Sequence, residues 1–193
     1  KLYFAANDST NGQELWAYDG VNPPSIVTDI YPGPGSSAPG SFTVFNSKLY
    51  FNADDGINGQ ELWAYDGVNP PSMVANIHPS GNSNPTYLTV FNSKLYFRAN
   101  DGTTWYELWE YDGVTHPSIV ADIYLGTSSS FPGYLIVFNA KLYFSGQSGI
   151  GLKLWEYDGV NPPNIVADIY ENVVYGITLK VFNSKLYFPG NDV

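Results

Sequence analysis

The stretch Glu61-Leu62-Trp63-Ala64-Tyr65-Asp66-Gly67 decides how this chain folds, because it occurs four times. The other copies run from Glu14 to Gly20, from Glu107 to Gly113 and, with lysine replacing glutamate, from Lys153 to Gly159. The Leu-Trp pairs begin at 15, 62, 108 and 154, so the period is 47, 46 and 46 residues. Leu62 and Ala64 alternate with Trp63 and Tyr65, which is the periodicity of a strand. Both sides are apolar or aromatic, so this strand is covered on both faces and ends at an Asp-Gly turn. A fixed period of this length marks a repeat architecture.

Working outward through the second copy, Phe42-Thr43-Val44-Phe45 reads as a first strand. Asn46-Ser47 then makes a two-residue connection; asparagine tolerates positive φ, which suits a type I′ hairpin, and it recurs at 92, 139 and 183. Lys48-Leu49-Tyr50-Phe51 starts the second strand, and residues 52 to 60 form a polar loop. The Leu-Trp strand is third. Val68-Asn69-Pro70-Pro71 bends the chain ahead of a fourth strand, Ser72 to Ile77. His78 to Tyr87 leads to the next copy. Four antiparallel strands per repeat, apolar on both faces, need sheets stacked on copies of themselves. Radial stacking does this, so the sequence predicts an all-β fold, a β-propeller of four four-stranded repeats of about 47 residues. A β-trefoil needs three copies, and this chain has four.

One propeller domain over residues 1–193 follows, with repeats at about 1–41, 42–87, 88–134 and 135–176 and a closing segment 177–193. The Lys-Leu-Tyr-Phe strand occurs five times, at 1, 48, 94, 141 and 185. The N-terminus therefore supplies strands two to four of a blade whose first strand, Thr178 to Phe182, comes from the C-terminus. The ring is expected to close by this strand exchange. The surplus copy, Lys185 to Phe188, competes with Lys1 to Phe4, so either one copy is displaced, or the chain is part of a longer array, or the ends pair between molecules to give a homo-oligomer. A chain that opens in mid-repeat reads as a processed product or a fragment.

The Lys-Leu-Tyr-Phe strand, polar loop, Glu-Leu-Trp strand and Tyr-Asp-Gly turn resemble the ELWxxDGT-type repeats of bacterial secreted and surface proteins, and more loosely kelch blades. The resemblance covers essentially the whole chain. It departs from the family pattern at Val21, Val68, Val114 and Val160, where threonine follows Asp-Gly, and at Lys153. It implies an extracellular or cell-surface propeller-like module and no particular reaction.

A formal charge of −10 and a pI near 4.3 oppose binding to nucleic acid or to anionic membranes. No apolar run approaches the ~18 residues needed to enter a bilayer. With no cysteine, neither a disulfide framework nor a thiolate metal site can form. The two histidines, His78 and His116, stand 38 residues apart in different repeats and read as solvated loop residues. They supply neither a hydrolase triad nor a zinc pattern. The repeated carboxylates Asp19, Asp66, Asp112 and Asp158 read as Asx caps at turns. Asp29, Asp122 and Asp168 share a place with Asn76, which indicates a hydrogen-bond acceptor. Repetition itself argues against catalysis, so no catalytic residue and no enzyme are expected.

The loops between strands two and three carry the remaining candidates. Asp8, Asp54, Asp55, Glu61 and Asp101 offer the oxygen ligands that calcium prefers, although the same loops are ordinary turn chemistry. No cofactor is required. In the third copy Trp105-Tyr106 stands where other loops have Asn-Gly or Gly-Gln, either an aromatic pair suited to stacking on a sugar or anchoring a partner, or a tryptophan that folds back over its own blade. Asn11 and Asn58 would add hydrogen bonds. Recognition belongs on this face, where the loops vary most between copies. The leading reading is an extracellular, lectin-like binding propeller whose partner is a glycan or an extracellular protein. The alternative is a structural, adhesive repeat that self-associates through its terminal strands.

Overall fold

A computed structural model describes residues 1–149, 151–170 and 177–189. Every regular element among them is a β-strand, and every pairing is antiparallel. The first sheet holds β1 (Leu2–Asn7), β2 (Gln13–Tyr18) and β3 (Ser25–Thr28). The second holds β4 (Gly40–Phe45), β5 (Lys48–Asp54), β6 (Gln60–Tyr65) and β7 (Ser72–Ala75). The third holds β8 (Thr86–Phe91), β9 (Lys94–Asn100), β10 (Tyr106–Tyr111) and β11 (Ser118–Ala121). The fourth holds β12 (Gly133–Phe138), β13 (Lys141–Gln147), β14 (Leu152–Tyr157) and β15 (Asn164–Tyr170). A hairpin of β16 (Lys180–Phe182) and β17 (Lys185–Tyr187) ends the series. The chain falls into two compact units, Lys1–Thr86 and Tyr87–Val193.

The all-β repeat expectation holds, and the sheets are open. The expected exchange of a closing strand is corrected: β16 pairs with β17, Phe182 opposite Lys185, and the N-terminal sheet has three strands. The reason is local. A two-residue turn closes a hairpin at little entropic cost, whereas joining the chain ends closes a loop of nearly the whole sequence.

The hairpin turns follow from asparagine. Asn46-Ser47, Asn92-Ser93, Asn139-Ala140 and Asn183-Ser184 have positive φ at both residues, the type I′ signature, so Phe45 faces Lys48. At the second turn position glycine would adopt this conformation without penalty, while alanine pays for its Cβ. Ala140 sits there at φ 58°. Ala140→Gly is therefore expected to raise stability by about 1 kcal/mol. A urea midpoint that stays level or falls would mean that freedom gained by the unfolded chain cancels the relief.

The second strand β5 is covered on both faces, as the alternation requires, whereas β1 leaves Leu2 exposed. Leu49, Tyr50 and Phe51 are consecutive and all buried. The third and fourth strands slip by one residue at every Leu-Trp pair, from Leu15/Trp16 to Leu154/Trp155. The fourth strand of the second repeat ends at Ala75, short of the expected Ile77, whereas β15 carries the same bulge and runs on to Tyr170. In the first unit Trp63 packs with Leu15, Ile30, Leu49, Phe51 and Ala53. In the second unit Trp155 packs with Phe91, Tyr96, Leu108, Leu142 and Phe144. Trp63, Trp109 and Trp155 are buried, while Trp16 in the three-stranded sheet is only partly covered.

Candidate functional site

The loops of the variable face are anchored from below by the glutamate of each Glu-Leu-Trp strand. Glu14, Glu61 and Glu107 are fully buried. The Glu61 carboxylate accepts the backbone N–H of Ile77 at 2.8 Å, of His78 at 3.3 Å and of Ser83 at 3.2 Å, and the Ser83 hydroxyl at 2.7 Å. Glu107 takes the N–H groups of Ile123 and Ser130 and the Ser130 hydroxyl, the last at 2.5 Å. Burial pushes Glu107 up to about 7 and raises Glu61 in the same direction, while the hydrogen bonds pull back. In the fourth repeat Lys153 instead pairs with Asp168 at 2.8 Å.

Glu61 therefore does not join the loop carboxylates with which it was grouped as a calcium ligand. Side chains alternate along a strand, so Gln60 reaches outward to the Ser37 carbonyl at 3.1 Å while Glu61 turns into the core. The sequence does carry a signal for this role, the serine that follows each glutamate by 22 or 23 residues.

The aspartates at the loop tips close their own turns. Asp8 accepts the N–H of Thr10 and Asn11 and the Asn11 side-chain amide. Asp55 does the same with Ile57 and Asn58, and Asp101 accepts the N–H and hydroxyl groups of Thr103 and Thr104. Asp54 accepts from Gly56, a role filled by Asn7 and Asn100 in the neighbouring repeats. Asn58 also receives the Asn76 amide at 3.1 Å. The turns after the third strands use the same chemistry, Asp19 with Asn22 and Asp158 with Asn161; those hydrogen bonds lower both aspartates to about 2. Among the described residues no three His, Cys, Asp or Glu side chains are arranged to hold a metal ion.

His78, expected in solvent, is half-buried with its ring over Gly81, and its Nδ1 is covered and without a partner. The glycine leaves the space that the ring occupies. His116 is exposed as expected, with Nδ1 2.8 Å from the Pro117 carbonyl.

The third repeat differs from the others at one end. Trp105 has φ 61°, at the place where Gly12, Gly59 and Gly151 have φ 68°, 75° and 78°. In the first two repeats a side chain there has no room: an added Cβ would lie 1.7 Å from the Gly35 carbonyl oxygen and 2.5 Å from Asn82 Oδ1. The third repeat nevertheless carries an indole at this position, half exposed. Beside it Tyr106 stacks on Phe131, with ring centroids 5.5 Å apart. The Arg98 guanidinium lies over the rings of both Tyr87 and Tyr106. Tyr87 in turn meets Tyr134 at 5.1 Å. The sequence marked Trp105 and Tyr106 but not Tyr87, Arg98, Phe131 and Tyr134, which lie apart along the chain.

No family model and no curated protein matches this sequence. Solved structures do. One is a family 117 glycoside hydrolase from the marine bacterium Zobellia galactanivorans, 13% identical, TM-score 0.44, with 89% of this chain aligned to 60% of that one. Another is an alpha-L-arabinofuranosidase from Clostridium thermocellum, 17% identical, TM-score 0.33, with 80% of this chain aligned to 60% of that one. The chain thus spans about three fifths of the length of either. Both matched proteins are glycoside hydrolases, and on that finding the expectation that this chain is not an enzyme is withdrawn.

Proposed function

We propose that this protein is an extracellular carbohydrate-binding protein of the β-propeller class, with its ligand on the loop face of the third repeat. The observation that supports this reading most directly is Trp105. A non-glycine residue in the left-handed region costs about 1–2 kcal/mol. Such strain is kept where the side chain has a use, and a turn alone would be better served by the glycine of the other repeats. A half-exposed indole offers a broad apolar face against which the C–H face of a pyranose ring packs. The partly buried Tyr106 and Phe131 extend that surface.

Trp105→Gly separates use from structure. The variant is expected to gain about 1 kcal/mol of stability in chemical denaturation, because the strain is relieved. It is also expected to lose about tenfold or more of affinity for glycans found with the wild-type protein on an array. Unchanged glycan binding would remove the third loop from the site, and a loss of stability would make Trp105 a packing residue. Reducing ends released from bound glycans would distinguish turnover from recognition.

A second reading, self-association through the terminal strands, has its own support. Phe182 is 65% and Tyr187 49% exposed on the β16–β17 hairpin, and Leu2 is 61% exposed on β1. Sedimentation across a range of concentrations tests it.

A further inference from the structure

Arg98 is the single arginine of a chain with 18 acidic residues. It sits on β9 opposite Leu108, and the equivalent positions of the other repeats are Ala5, Asn52 and Ser145. Asn52 and Ser145 are satisfied locally: Asn52 donates to the Pro85 carbonyl at 2.9 Å and Ser145 to the Gly133 carbonyl at 3.2 Å. Arg98 is not. Its guanidinium carbon lies 5.1 Å from the Tyr87 ring centre and 5.3 Å from that of Tyr106, and its Nε is buried without an acceptor.

Among the described residues the ion pairs all belong to lysines, Lys94 with Glu110, Lys141 with Glu156 and Lys153 with Asp168. A partly buried cation without an anion is costly, and the ring faces offset only part of that cost. Burial pulls the guanidinium pKa down, yet it stays protonated at neutral pH. What is missing from this arrangement is an oxyanion. The planar fork of N–H donors matches a carboxylate or a sulfate. Tyr87, Tyr106, Phe131 and Tyr134 are each partly exposed around it, so the walls are aromatic faces suited to sugar rings.

We propose that Arg98 is the anion-binding residue of the saccharide site, so that the ligand is an acidic carbohydrate carrying carboxylate or sulfate-ester groups. This rests on the reading of the third-repeat face as a carbohydrate site, and it names the class of carbohydrate. The net charge of −10 opposes any acidic ligand at long range, so the short contact with Arg98 must supply the preference.

Calorimetric titration of the full chain with three oligosaccharides of equal length tests this: an oligogalacturonate, a sulfated galactan oligosaccharide and a neutral galactan oligosaccharide. The wild type is expected to bind at least one acidic probe about tenfold or more tightly than the neutral one. Whichever acid is preferred identifies the anion. Arg98→Gln should bring the acidic and neutral probes to equal affinity, and Arg98→Lys should keep part of the preference, since the charge remains but the fork is lost. Trp105→Gly should weaken all probes alike. Equal affinity for neutral and acidic probes, or a preference that survives in Arg98→Gln, overturns the acidic ligand but leaves the carbohydrate site standing. Binding of no probe by the wild type overturns both. Should Arg98→Gln fail to fold, Arg98→Lys decides: a preference as large as in the wild type would show that the planar fork is not what is read.

Discussion

Trp63→Ala is expected to cost about 3–5 kcal/mol of stability, read as a fall in the denaturation midpoint at constant slope. Trp63 is 9% exposed, and its contacts come from more than one sheet of the first unit: Leu15 from β2, and Leu49, Phe51 and Ala53 from β5. The substitution therefore removes the side chain through which one strand's face meets its neighbours. Its indole N–H has no acceptor, so the loss measures packing and leaves no broken hydrogen bond behind. Trp155 is the informative contrast. It stacks on Phe144 at an interplanar angle of 4° and donates to the Gly146 carbonyl at 3.1 Å. Trp155→Ala should cost more than Trp63→Ala by roughly the 1 kcal/mol of that hydrogen bond. A loss below about 1 kcal/mol at Trp63 would mean that the sheets do not pack through the tryptophans, well under the usual range for such a truncation.

Glu107→Ala is expected to be about as damaging, at about 3–5 kcal/mol. The backbone N–H groups of partly buried Ile123 and buried Ser130 would lose this acceptor, and the Ser130 hydroxyl would keep only the Tyr106 carbonyl at 3.4 Å. The pH dependence has a definite sign. The folded-state pKa of Glu107 is raised from the usual 4.5 to about 7, so the folded chain binds the proton more tightly than the unfolded one. Its contribution is then fully present below about pH 4.5 and is lost as pH rises through about 7. Glu61 is shifted in the same direction and adds to the trend. Asp19 and Asp158, lowered to about 2, act in another window: their contribution is present above the usual 3.8 and is lost as pH falls through about 2. Stability should therefore decline from about pH 5 to about pH 8, and Glu107→Gln should flatten that slope. A slope unchanged by Glu107→Gln would assign the dependence to other groups.

The fold was legible wherever the deciding interaction is short in sequence. Asn46 and its three counterparts specify the hairpin turns through their own backbone conformation. Asp19, Asp55 and Asp101 find their donors two and three residues ahead, so the Asx caps are written in a few consecutive letters. The candidate site was legible at Trp105, because a repeat displays its own exceptions and an indole stands where three other copies have glycine. The same repeat logic misplaced Glu61. A glutamate at the edge of an acidic loop looks like part of it, and only the pleat puts Gln60 outside and Glu61 inside.

By itself, then, the sequence determined the period, the all-β class, the type I′ turns and the caps, since each depends on residues within one strand or turn. Tertiary structure alone decided three things. It brought the buried carboxylates to donors 16 to 23 residues away. It paired β16 with β17, because nearby strands pair before distant ones. It gathered Tyr87, Arg98, Tyr106, Phe131 and Tyr134 around a guanidinium without an anion. Those residues are distant along the chain and meet only because antiparallel strands and the loops between them return to one end of the same sheets, an adjacency that no local pattern encodes.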